Sequence, residues 1–92
     1  MNHARLEKLG LLEVKKQAAF ALSVEIHGLR EQINRATDLH LPIANLALDE
    51  LSVLMSSLQE KTTEHRQLVD ELRSLAEDLN VPMPMTDARR KR

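Results

Sequence analysis

The chain has 92 residues, which makes one domain near the lower end of the sizes that fold alone. Phe20 is the only aromatic residue, and cysteine is absent, which excludes disulfides, thiol catalysis and zinc–thiolate sites. The net charge is −1, but residues 1–36 hold six Lys/Arg against four Asp/Glu, residues 37–80 three against nine, and residues 81–92 four against one. We expect this uneven charge to serve contacts within the chain as much as an external partner.

The first predicted element is a helix over about residues 4–36. Long aliphatic side chains mixed with Ala, Glu, Lys and Arg favour a helix, and Asn2 suits its N-cap. Gly10 weakens this helix and could mark a kink, with a short helix before it; the sequence does not distinguish a kink from a break. Charges scattered over residues 1–25 argue against a secretory signal, and the longest apolar run, residues 18–22, is far short of the roughly 20 residues that a membrane span needs. We therefore expect a cytoplasmic chain without membrane contact.

The second predicted helix covers about residues 42–79 and follows a loop at residues 37–41. Pro42 fits the first helical position, where its missing N–H group costs nothing. Asn80 suits the left-handed conformation that often ends a helix, and Pro82 forbids further helix. The sequence beyond this stop therefore predicts a flexible end.

Small and apolar residues follow one face of the second helix. They are spaced alternately three and four apart, which keeps them on a single seam. The seam consists of Ala47, Leu51, Leu54, Leu58, Leu68, Leu72, Leu75 and Leu79. Lys61 and His65 interrupt it. They could form a polar layer that fixes the register or a pH switch at His65, or the seam could simply loosen there; we favour the last interpretation.

Residues 1–80 therefore predict an all-α fold, a two-helix antiparallel hairpin resembling a coiled coil. A loop of about five residues between two long helices makes the antiparallel arrangement the default. With the turn near His40, residues whose numbers add up to about 80 should lie opposite each other. Examples are Ile33 with Leu48, Leu29 with Leu51, and Leu22 with Leu58.

A single hairpin leaves the flanks of both helices uncovered. Beside the seam of the first helix run Leu11, Val14, Ala18, Ala21 and Val24, so this helix is apolar nearly all round. We expect a second copy to cover the flanks and to form a dimeric four-helix bundle. An unrelated partner, or a short helix before Gly10 that folds over this face, would be the alternatives. The predicted oligomer interface is Leu22, Val24, Ile26, Leu51, Val53 and Met55.

The sequence contains none of the usual arrangements for catalysis or metal binding. No histidine has a glutamate three residues before it, and no two histidines are four residues apart. There is no glycine-rich phosphate loop, and Ser52, Ser56 and Ser57 lie on a helix without a His–Asp pair. We therefore expect neither an enzyme, nor a cofactor, nor a metal site.

The remaining functional feature is a dense basic cluster within residues 81–92, which we expect to be a flexible basic tail. The cluster is Arg89, Arg90, Lys91 and Arg92, a possible contact for nucleic acid or another anion. We favour two simpler interpretations, a disordered solubilising end or a tail that folds back on the acidic second helix near Glu71, Glu77 and Asp78. The acidic second helix argues against a broad nucleic-acid face. We therefore expect a small interaction protein, an adaptor, chaperone-like or regulatory module, acting through protein–protein contacts. A nucleic-acid-binding regulator using the bundle and the basic tail is the alternative.

Overall fold

A computed structural model describes residues 3–88 as two long helices packed antiparallel against each other. The first helix, α1, covers His3–Ala36, a short 3₁₀ helix covers Ile43–Asn45, and the second helix, α2, covers Leu48–Leu79. The described chain is a rod of 65 × 27 × 15 Å. The 34 residues of α1 account for about 50 Å of its length, at about 1.5 Å per residue. The predicted all-helical hairpin is therefore confirmed.

The first helix is continuous through Gly10, so α1 is not broken there into a short separate helix and a longer one. A side chain at Gly10 or Gly28 would meet no other atom within 4 Å. The described chain begins with α1, so residues 3–36 contain no separate short helix that could fold over its apolar face. The predicted N-cap, Asn2, lies outside the described residues.

The second helix begins at Leu48 rather than at Pro42, which corrects the predicted boundaries of both helix and loop. Pro42 starts the 3₁₀ turn instead, with φ −60° and ψ 146°. The fixed φ and missing N–H group of proline suit the start of either kind of helix, so the residue type did not distinguish them. Asp49 and Glu50 lie in the first turn of α2, where carboxylates interact favourably with the positive end of the helix dipole.

The later start of α2 shifts the pairing of the two helices by six residues. Three ion pairs join them: Lys8 with Asp78 at 3.6 Å, Lys61 with Glu25 at 2.9 Å, and Lys15 with Glu71. The numbers in each pair add up to 86, not to the predicted 80. The predicted residue pairs are therefore wrong in register, because the longer connection displaces α2 along α1.

The predicted seam of α2 does face α1. Leu72 and Leu79 are buried, together with Ala76 beside them and Ala19 on α1. The other seam leucines are half-buried, whereas Ala47 precedes the helix and is exposed. The fully buried core thus lies at the end of the hairpin away from the loop.

The end of α2 confirms the predicted stop. Asn80 adopts the left-handed conformation, with φ 56° and ψ 47°. Its N–H group donates to the carbonyl oxygen of Glu77 at 3.1 Å, and the N–H group of Val81 donates to that of Ala76 at 3.0 Å. This is the Schellman arrangement, which satisfies the last carbonyl groups of a helix and reverses the chain.

Residues 81–88, here called the C-terminal strap, return along the hairpin instead of forming the predicted flexible tail. The strap runs from the end of α2 to the level of His65 and reaches Ser23 on α1. From Leu79 back to His65, α2 covers about 21 Å at about 1.5 Å per residue. Seven residues of extended chain span a similar length at about 3.1 Å each, and Pro82 and Pro84 favour that conformation. The four basic residues that follow the strap lie outside the described residues.

The core position of Leu72 leads to a prediction about stability. Leu72→Ala should lower the free energy of unfolding by about 2–5 kcal/mol, because it removes a fully buried side chain and leaves a cavity. Leu39→Ala is the matched control, since Leu39 is fully exposed and its loss should change stability by no more than about 0.5 kcal/mol. Urea denaturation at one protein concentration measures both; equal effects would contradict the assigned core.

Candidate interaction surfaces

The strap is attached to α1 through Ser23. This serine is 3% exposed, although its flank of α1 would otherwise be open to solvent. Its hydroxyl group donates to the carbonyl oxygen of Phe20 at 2.7 Å and accepts the N–H group of Ala88 at 2.8 Å. Both the donor and an acceptor site of the hydroxyl are therefore in use, which accounts for a buried polar side chain on this helix.

The strap is attached to α2 through His65. The side chain of His65 is only 14% exposed, and its Nε2 atom lies 3.0 Å from the carbonyl oxygen of Thr86 and 3.3 Å from Oδ1 of Asp87. Both neighbours are acceptors, so Nε2 carries a proton in this arrangement. The polar residue in the seam therefore has a specific partner, the main chain of the strap.

Lys61, the other interruption of the seam, has a different partner. Its ammonium group donates to Glu25 of α1 at 2.9 Å. This hydrogen bond, with the attraction of the same carboxylate, raises the pKa of Lys61 above its ordinary value. Both side chains are exposed, so the pair contributes little to stability. Lys61 and His65 thus reach different elements and do not form one polar layer between the helices.

The two sides of the hairpin are closed by different means at the strap end. At about 100° per residue, Lys15 and Ser23 fall on opposite sides of the buried Ala19. The ion pair of Lys15 with Glu71 bridges the helices on one side, and the strap covers the groove on the other. Ser23 in an apolar helix and the two prolines of the strap were the only sequence signals for this arrangement.

The strap brings a serine, a histidine and an aspartate into one region, but not as a nucleophile with its base. The Ser23 hydroxyl donates to its own helix and is buried beneath Ala88, while the Nε2 atom of His65 faces Thr86 and Asp87. No group of three or more His, Asp or Glu side chains within residues 3–88 is arranged to hold a metal ion. In the same part of the chain, neither helix combines the length and apolarity needed to cross a membrane.

The end of the hairpin near the loop is open. We call residues 24–36 of α1 and 48–62 of α2 the loop half. Its aliphatic side chains are half-buried or exposed, and not one is fully buried. Open grooves of about 660 and 640 Å³ flank it, one beside Val53 and Leu54 and the other beside Met55 and Leu58. This half therefore lacks a cover on either side among the described residues.

The predicted oligomer interface divides into two groups in the structure. Leu22, Ile26 and Leu51 are half-buried between or beside the helices. Val24, Val53 and Met55 are 53%, 67% and 52% exposed. Nearer the N-terminus of α1, four further apolar side chains are exposed to solvent: Leu11, Val14, Ala18 and Ala21. The possible anion-binding residues Arg89, Arg90, Lys91 and Arg92 lie outside the described part of the chain.

These surfaces belong to an all-helical hairpin whose C-terminal strap closes one groove. Comparison of the chain with models of known protein families, with curated proteins and with solved structures found no match. Any conclusion about function therefore depends on the surfaces themselves.

The attachment of the strap leads to a second prediction. Ser23→Ala should accelerate amide hydrogen exchange at Ala88 by about two- to tenfold, because the amide loses its acceptor. Thr63→Ala is the matched control: its hydroxyl bonds to the carbonyl oxygen of Gln59 in its own helix, so exchange at Ala88 should not change.

Substitutions at His65 complete this test. His65→Leu removes the donor to Thr86 and should also accelerate exchange in the strap, whereas His65→Gln retains an N–H donor and should have a smaller effect. Unaltered exchange at Ala88 in both Ser23→Ala and His65→Leu would contradict the role of these side chains in holding the strap.

Proposed function

We propose that this chain is a non-enzymatic interaction module that pairs with a second copy through its loop half and acts through protein–protein contacts. The observation that supports the proposal is the uneven burial along the hairpin. All the buried residues of the described chain lie at the strap end, while the loop half carries many aliphatic side chains and no complete core. Exposed aliphatic side chains on two neighbouring helices are typical of a protein interface.

The small size of the core supports association as a requirement of the fold. Two of the four buried apolar residues, Ala19 and Ala76, are alanines, which contribute little apolar area. Helices in proteins gain most of their stability from tertiary packing, and a two-helix hairpin provides this packing on one face of each helix only. A second copy packed over the groove beside Val53 would bury that side chain, which is 67% exposed.

A second copy is the occupant that the charges favour. The α1 helix contains six Lys/Arg and four Asp/Glu, whereas α2 contains three Lys/Arg and eight Asp/Glu. A two-fold bundle that places α1 of one protomer beside α2 of its partner brings the two arginines in the loop half of α1 near the three carboxylates in that half of α2. The resulting four-helix bundle, with coiled-coil-like seams, is the simplest closed assembly of two hairpins.

The nucleic-acid alternative has less support. The sequence signal for nucleic-acid binding is confined to Arg89–Arg92. The α2 helix, which would offer nucleic acid a longer surface than these four residues, is acidic. The chain also offers a single aromatic side chain for stacking on bases. Protein–protein contact in the manner of an adaptor, chaperone-like or regulatory module remains the proposal.

Light scattering of the eluting protein tests the association. We expect twice the chain mass for the wild type. Val53→Glu should weaken dimerisation by about a hundredfold or more, because a carboxylate would be buried without a partner.

Val14→Glu is the matched control, since Val14 is about as exposed as Val53 but lies outside the loop half. It should leave the mass of the assembly unchanged. A wild-type chain that stays folded as a monomer at micromolar concentration would exclude the dimer. Dissociation by Val14→Glu but not by Val53→Glu would move the interface away from the loop half.

A further inference from the structure

The connection between the helices carries a second exposed apolar surface, at the very end of the rod. Leu39 and Ile43 are 98% and 87% exposed. We call residues 37–47 the tip. Loops of globular proteins usually present polar side chains to water, and two large aliphatic side chains exposed to this degree within one short connection are unusual.

The tip is ordered by local hydrogen bonds that do not depend on burying these side chains. A side-chain oxygen of Asp38 accepts the N–H group of His40 at 2.7 Å, and its carbonyl oxygen accepts that of Leu41 at 3.0 Å. The N–H group of Asn45 donates to Pro42 at 2.9 Å, closing the 3₁₀ turn. Leu39 and Ile43 are therefore held outward on a defined backbone, which lowers the entropy lost when a partner binds them.

The charge around the tip is mainly negative. Lysine and arginine are absent from residues 36–60, whereas Asp38 precedes Leu39 and Asp49 and Glu50 follow in the first turn of α2. The last two suit the N-terminus of a helix. Arg35, in the last turn of α1, lines one groove with Asp49 and Glu50, so one cation stands against three carboxylates. We call the three carboxylate residues the acidic collar.

The collar discriminates between the possible occupants. Contact between the tips of two copies would bring six carboxylates together, which is unfavourable. Segments that lie on membrane surfaces combine apolar residues with basic and aromatic ones, and an anionic lipid surface would repel the collar. A protein surface that surrounds an apolar pocket with lysine or arginine satisfies both features of the tip.

We propose that the tip is a docking site for another protein, which receives Leu39 and Ile43 in an apolar pocket rimmed by basic side chains. Leu39 and Ile43 lie outside the loop half used by the dimer proposed above, and Asp49 and Glu50 lie at its edge. The full chain would thus carry two interaction surfaces, one for its own copy and one for a different partner.

A model peptide tests this chemistry directly. The probe is a 14-residue amphipathic helical peptide of leucine and lysine, with an otherwise identical leucine–glutamate peptide as its control. We expect the full-length protein to bind the lysine peptide and to bind the glutamate peptide at least about tenfold more weakly. The double variant Leu39→Ser/Ile43→Ser should weaken binding of the lysine peptide by about tenfold or more. Asp49→Asn/Glu50→Gln should weaken it and reduce its dependence on salt.

Matched controls separate the tip from general attraction to an acidic helix. Val14→Ser removes an equally apolar exposed side chain elsewhere, and Glu64→Gln/Glu77→Gln removes two carboxylates of α2 away from the tip. Both should leave binding within about twofold of the wild type. Binding that is insensitive to Leu39→Ser/Ile43→Ser, or equally sensitive to the controls, would overturn the proposal.

Two further measurements address the other occupants. Sedimentation with vesicles of phosphatidylcholine, alone or with phosphatidylglycerol, should show no binding; binding that Leu39→Ser/Ile43→Ser abolishes would assign the tip to a membrane and overturn the proposal. Light scattering of the same variant should report the wild-type mass. A lower mass would show that the tip belongs to the contact between copies, whereas a wild-type monomer would reject the dimer and leave the docking proposal standing.

Discussion

The structure depends on the contact between the Leu72–Leu79 segment of α2 and α1, the place where side chains of the two helices are completely removed from water. Two antiparallel helices share one seam, so each must leave most of its circumference exposed. The chain covers part of that surface by turning back at Asn80 and laying the strap along one groove. The strap end is therefore the closed end of the molecule, and the loop half is the open end, which the dimer proposed above would cover.

His65 shows how a polar residue in an apolar seam can belong to tertiary structure. Its imidazole lies near the seam yet points its Nε2 atom at the strap, and Ser23 performs the matching role on α1. The contacts with Thr86 and Ala88 are to main-chain groups, so they fix the position of the strap with little dependence on its side chains. Few side chains of the helices make polar contacts with these eight residues, so Ser23 and His65 are the positions at which substitutions should loosen the strap.

The sequence alone predicted the features that interactions between neighbouring residues determine. The periodic leucines predicted two helices with a shared seam, and Asn80 followed by Pro82 predicted how α2 ends. Pro42 was ambiguous because proline starts α and 3₁₀ helices equally well, and the resulting error of six residues carried into the register. The attachments of the strap were not predicted. They join Ser23 and His65 to residues far away in the chain, and the amino-acid sequence alone does not show which distant residues meet.

The exposed aliphatic side chains have two physical origins, and the distinction carries the functional argument. In the loop half, Val53 and Met55 flank half-buried seam residues, so covering them would enlarge a core that has already begun to form. At the tip, the backbone is satisfied by its own turns, and Leu39 and Ile43 contribute nothing to the stability of the hairpin that holds them. A neighbour over the loop half would add to the packing of the fold itself, and in the dimer proposed above a second copy would supply it. The side chains at the tip have no such part in the fold, which is why we propose for them a role in binding a different partner.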